Sequence, residues 1–121
     1  MTTDKLSEEA IKVLDTAIEL NPNDAEVWYN KGVALNELNR NAEALVVFNK
    51  AIEIKRDFAD AWFHKGIALF ALGRLDESHK ALDKTLEITP GKSQVLEVKQ
   101  KVLDKQKEFE TKWGGTFRKK S

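Results

Sequence analysis

The chain matches itself. Displaced by 34 positions, residues 25–58 lie over residues 59–92 without a gap, and 12 of those 34 positions are identical. The identical pairs are Ala25/Ala59, Trp28/Trp62, Lys31/Lys65, Gly32/Gly66, Ala34/Ala68, Leu35/Leu69, Leu38/Leu72, Arg40/Arg74, Glu43/Glu77, Lys50/Lys84, Glu53/Glu87 and Ile54/Ile88. The same step carries Glu9, Ala10, Val13, Ala17, Ile18 and Glu19 onto Glu43, Ala44, Val47, Ala51, Ile52 and Glu53. The N-terminus therefore supplies the second half of an earlier unit. A period of this size means stacked supersecondary units, each burying its apolar face only against its neighbours.

Apolar spacing inside each unit is helical. Trp28, Gly32, Leu35 and Leu38 recur on one helix face, and after a turn at Asn39-Arg40-Asn41 a second stripe runs through Ala44, Val47, Phe48, Ala51 and Ile52. The second unit repeats the plan with Gly73 as the break. Asn23 with Glu26, and more weakly Asp57 with Asp60, have the form of helix-starting capping residues. Pro22 and Pro90 sit just past helix ends, where a missing N–H costs little. Gly32 and Gly66 lie inside helices at a propensity cost of about 1 kcal/mol each, which is sensible where another helix crosses and a Cβ would hold it off. Six helices are expected, over residues 5–20, 24–38, 42–55, 58–72, 76–88 and 93–113. The last is amphipathic, with Val95, Val98, Val102, Phe109 and Trp113 on one side, and it stands in register as a first helix with no second. Its lysines suit a terminal helix that closes the last core and faces water.

The period of 34, the helix–turn–helix unit and the pattern Trp-x-x-x-Gly, Ala-x-x-x-Phe and Pro resemble the tetratricopeptide repeat over residues 7–92. Departures are Lys31 and Lys65 for the Leu before the Gly, Leu35 and Leu69 for Tyr, Ser78 and Leu82 for Ala and Phe, and Arg56 for Pro. The fold expected is an all-α, right-handed α-solenoid of antiparallel helix pairs. Its parts are a half-repeat over 5–24, repeats over 25–58 and 59–92, a capping helix over 93–113 and a flexible basic tail over 114–121.

The resemblance also implies a site. In that family the first helix of each unit lines a concave groove that binds peptides. Here the groove set is Glu26, Tyr29, Asn30, Val33 and Asn36, then Asp60, Phe63, His64, Ile67 and Phe70. Phe63, Ile67 and Phe70 make an apolar stripe that either packs against neighbouring first helices, receives a partner, or does both. Glu26 and Asp60 either cap helices or put acid on the rim; if they do both, the groove favours an apolar segment flanked by Lys or Arg. Family members that bind acidic chaperone tails clamp the terminal carboxylate with Lys, Arg and Asn. The corresponding positions here are Tyr29, Val33, His64, Gln94 and Val98, none of them Lys or Arg, so such tails are expected not to bind.

Other chemistry is poorly served. There is no Cys, and the two histidines, His64 and His79, lack metal-pair spacing, so neither a metal nor a cofactor is expected. No phosphate loop or nucleophile elbow is present, and the carboxylates sit beside lysines as on solvated helices, so no enzyme is expected. The N-terminus lacks the apolar core of a signal peptide and no apolar run could span a bilayer, so a soluble, cytoplasmic protein without membrane contact is expected. Charge is uneven. Residues 1–91 hold 16 acids and 11 bases, a balance of −5, while residues 92–121 hold 4 and 9, a balance of +5. The basic end with Trp113 and Phe117 could contact nucleic acid, but a solubilising tail is the stronger reading, and Phe117 with its bases could also dock in the acidic groove. The function expected is a non-enzymatic protein–protein interaction module, an adaptor or assembly scaffold. The alternative is a self-associating unit whose apolar ends, including Phe109, Trp113 and Phe117, or whose groove, are covered by another copy or by the tail.

Overall fold

The computed structural model describes residues 3–112. Six helices follow one another among them: α1 Thr3–Leu20, α2 Ala25–Glu37, α3 Asn41–Ile54, α4 Ala59–Ala71, α5 Leu75–Ile88 and α6 Ser93–Lys112. Residues 113–121, and with them Trp113, Phe117 and the expected tail, lie outside the described residues.

The turns inside the two full units are built alike. Asn39 and Gly73, 34 residues apart, hold φ of 61° and 76°. That left-handed conformation suits Gly and is tolerated by Asn. The amides that follow close the helix ends: Arg40 N–H donates to Leu35 O and Arg74 N–H to Leu69 O, both at 2.9 Å, while Asn39 and Gly73 donate to Asn36 O and Phe70 O. This paired arrangement satisfies carbonyls that a bare helix end would leave open. Helix starts differ from expectation. Asp24, not Asn23, caps α2, its side chain accepting from Glu26 N–H at 3.1 Å. Asn23 instead donates its own N–H to Asn21 Oδ1. At α4 the capping position belongs to Phe58, which has no side-chain acceptor to offer, so Asp57 caps nothing.

Short connections force α2 and α3, and then α4 and α5, to run antiparallel and pack as pairs. Gly32 and Gly66 mark the crossings. A Cβ built on Gly32 would lie 2.6 Å from Cδ1 of the fully buried Phe48 ring, and one on Gly66 would lie 2.8 Å from Leu82 Cδ2. The core is a chain of linked clusters. Ala25, Ala51, Ile52, Phe58 and Ala61 join α2, α3 and α4, while Leu45, Leu69 and Ala81 join α3, α4 and α5. Leu82, Val95 and Val102 join α5 to α6. Trp28 and Trp62 are held identically: each indole N–H donates to the carbonyl six residues earlier, Pro22 O at 2.8 Å and Arg56 O at 2.9 Å. The fold is thus an all-α helical repeat solenoid, and no helix among the described residues is long and apolar enough to cross a membrane.

Candidate functional site

The expected groove residues lie on α2 and α4, two first helices that touch side by side. Glu26, Asn30 and Asp60 are exposed; Tyr29, Val33, Asn36, Phe63, His64, Ile67 and Phe70 are half-buried. The set therefore divides into an exposed polar rim and a half-buried floor that is mostly apolar but includes Asn36 and His64.

Tyr29 and His64 tie the two helices together. Tyr29 Oη lies 3.2 Å from His64 Nδ1, which is also 3.0 Å from Asp60 O, one helical turn back on α4. The Tyr29 ring stands 5.0 Å from Phe58 and 5.3 Å from His64, and His64 meets Phe63 edge-on at 5.3 Å. Burial, then the charges of Asp60 and Glu26, push the Tyr29 phenol up from 10.0 to about 12. The floor of the groove thus resists negative charge. Asp60 has a long ion pair with Lys92 at 3.9 Å, with both side chains well exposed, so screening leaves that contact weak.

Phe63 and Phe70 pack against the Leu82, Val95 and Val102 cluster together with Val98. Their rings help to seat α6, which occupies the place of the next first helix. Tyr29 and Val33 pack against the clusters around Phe48, whereas Ile67 belongs to none of the buried clusters. Asn36 is the unexpected member: its Nδ2 and Oδ1 are both shut from solvent and neither has a hydrogen-bond partner. Of the expected self-association residues, Phe109 is 47% exposed near the end of α6. No cluster of three or more His, Asp or Glu suited to a metal occurs among the described residues.

Sequence reasoning missed a second surface. On another face of α4, a cleft of about 540 Å³ opens between α4 and α5 around Trp62 and Lys65. Its signal was present in the repeat: Asp15 and Asp83, separated by two periods, have Asn49 midway between them.

Comparison with known proteins agrees with the geometry. Residues 7–38 and 32–73 match a family model described as TPR repeat, and residues 59–92 match one described as tetratricopeptide repeat. No curated protein matches the chain by sequence. The first TPR domain of human RPAP3 is 25% identical, with a TM-score of 0.84 over 87% of this chain and 83% of that one. The TPR2B domain of yeast Sti1, solved as a complex with pHsp70, is 27% identical, with a TM-score of 0.78 over 85% and 87%. The first TPR of Spaghetti (RPAP3), bound to the HSP90 peptide SRMEEVD, is 24% identical, with a TM-score of 0.82 over 84% and 81%. That peptide is acidic, so it lends no support to the expectation that acidic chaperone tails are excluded here.

Proposed function

The chain belongs to the tetratricopeptide repeat family, and from that premise we propose that it is a protein–protein interaction module, an adaptor or assembly scaffold. Its α2–α4 face holds an apolar peptide segment flanked by Lys or Arg. The yeast Sti1 domain, complexed with pHsp70, supports peptide or protein capture on this fold. The observation that carries the choice of ligand is the pairing of Glu26 and Asp60, both exposed, with the half-buried floor of Tyr29, Val33 and Ile67. Burial accounts for most of the rise in the Tyr29 value, and the smaller part, from the charges of Asp60 and Glu26, is the part that favours a cation at the rim.

Two peptides sharing one apolar centre, flanked by Lys in one and by Glu in the other, test the reading when binding is followed at the backbone amides of Val33 and Ile67. The Lys-flanked peptide should bind more tightly, and its advantage should shrink with salt and in the double variant Glu26→Gln, Asp60→Asn. Equal or tighter binding of the Glu-flanked peptide at those amides, or of a peptide ending EEVD, would overturn it.

A second reading, self-association, is favoured by α1. Val13 is 69% exposed, yet its register equivalent on α3, Val47, is 6% exposed, because α2 covers α3 and no first helix precedes α1 among the described residues. Leu6 and Leu20 extend the same stripe at 56% and 83% exposure. A second copy covering that stripe would make the mass in light scattering rise with concentration, and Val13→Lys would abolish the rise. A monomer at every concentration removes the idea.

A further inference from the structure

Lys31, Lys65 and Lys99 are successive copies of one position, 34 residues apart. Two of them face a carboxylate 16 residues earlier in the chain: Lys31 meets Asp15 at 2.7 Å and Lys99 meets Asp83 at 2.7 Å. The carboxylate due to Lys65 is absent, because residue 49 is Asn. Lys65 instead has its Nζ 5.0 Å from the centroid of the Trp62 ring, which Lys84 approaches at 6.0 Å. Around them lies the cleft of about 540 Å³, to which Arg56 and Lys80 also contribute.

The carboxylates that line the cleft are engaged. Glu77 is paired with Arg74 at 2.7 Å and Glu87 with Lys84 at 3.4 Å. Among the described residues, Arg56, Lys65 and Lys80 have no carboxylate within ion-pair distance. Burial pulls the Lys65 ammonium below its ordinary value, with Glu77 opposing and Arg74 adding to the shift. A half-buried ammonium beside two further unpaired cations is an incomplete electrostatic arrangement.

We propose that the α4–α5 cleft around Lys65 and Trp62 is an oxyanion site, taking a carboxylate or phosphate group as the partner that Lys65, unlike Lys31 and Lys99, lacks within its own repeat array. Lys65 supplies the central ammonium, Arg56 and Lys80 flank it, and Trp62 forms one wall. An oxyanion placed there gives Lys65 the counter-ion that Asn49, on α3, does not provide, and shortens its contacts through charge assistance. The site uses none of the groove residues, so it stands or falls independently of the peptide reading.

The test is a titration of the whole chain with inorganic phosphate and, separately, with acetate, at ionic strength held constant with sodium chloride. The indole N–H signals of Trp62 and Trp28, assigned with Trp62→Phe and Trp28→Phe, are followed by NMR. A saturable shift at Trp62 without one at Trp28 is expected, with phosphate alone responding at a phosphate site and both anions at a general oxyanion site. Lys65→Gln should weaken it about tenfold or more. Asn49→Asp, which installs the carboxylate that the other repeats possess, should suppress it while leaving the fold intact. No saturation with either anion, equal shifts at Trp28 and Trp62, or unchanged affinity in Asn49→Asp would overturn the proposal.

Discussion

The two full repeats share a frame and differ in what fills it. Their turns coincide, with left-handed Asn39 matched by left-handed Gly73, and so do their surface ion pairs. Arg40 grips Glu43 through two nitrogens at 2.7 and 2.8 Å, and Arg74 grips Glu77 at the same distances. Those guanidiniums hold both carboxyls below the usual carboxylate range. At the helix crossings the units part. The first sets a rigid Phe48 ring against Gly32; the second sets a branched Leu82 against Gly66 and adds a buried hydrogen bond from Ser78 Oγ to Gly66 O at 2.7 Å. Tyr29 and Asn36 in the first unit become Phe63 and Phe70 in the second. The backbone geometry of the turns and the glycines at the crossings are kept, while the side chain facing each glycine and the residues on the floor of the groove differ and give each unit its own packing and surface.

Breaking the crossings should separate the units most. Gly32→Ala forces a Cβ against an aromatic ring that cannot bend. Overpacking typically costs about 1–3 kcal/mol and the helix-propensity gain returns at most about 1 kcal/mol, so a clear net loss is expected in urea unfolding. Gly66→Ala meets the end of a leucine that can rotate, and should fall within about 1 kcal/mol of neutral. Phe48→Leu in the Gly32→Ala background should recover part of the loss by recreating the alanine-on-leucine crossing of the Gly66→Ala variant. Equal losses at the two glycines would show that ring rigidity does not distinguish them.

A smaller change sharpens the floor comparison. Asn36 buries an amide with both ends unpaired, and its counterpart Phe70 has no polar group to satisfy. Asn36→Leu should therefore raise stability by about 1 kcal/mol, the scale of one unsatisfied buried polar group. Destabilisation would mean that the amide is hydrogen-bonded in solution.

The smallest effect is confined to alkaline pH. Tyr29 is the chain's single tyrosine, and its phenol titrates near 10.0 when unfolded but at about 12 in the fold. Through that window the unfolded chain releases the proton while the folded chain keeps it, so stability falls as pH rises. Tyr29→Phe, which copies Phe63, should make the decline in Tm between those pH values shallower. An unchanged slope would mean that neither burial nor the charges of Asp60 and Glu26 raise the phenol in the fold.

Much of this was legible from spacing. The six helices, the breaks at Asn39 and Gly73 and the small-residue crossings all follow from residues that recur with a fixed step, since a side chain's place on a helix depends only on its number along it. Capping was less legible. Asn23 and Asp24 are adjacent, both are good caps, and one residue's difference in backbone direction chose Asp24. The groove was legible as a list but not as a surface. No sequence pattern tells that Phe63 and Phe70 help to seat α6, or that the Asn36 amide is enclosed, because both depend on how closely a neighbouring helix approaches. The Lys65 cleft was hidden for the same reason, although the missing aspartate at Asn49 was in view.

The amino-acid order alone determined the repeat length, the helix pairing and the two glycine crossings, because these are consequences of local geometry and of apolar periodicity repeated along one axis. Only the tertiary structure decided which repeated side chains remain exposed. Val13 and Val47 share a register and a residue type, yet one is open and the other closed, because burial belongs to the helix packed opposite and not to the residue itself.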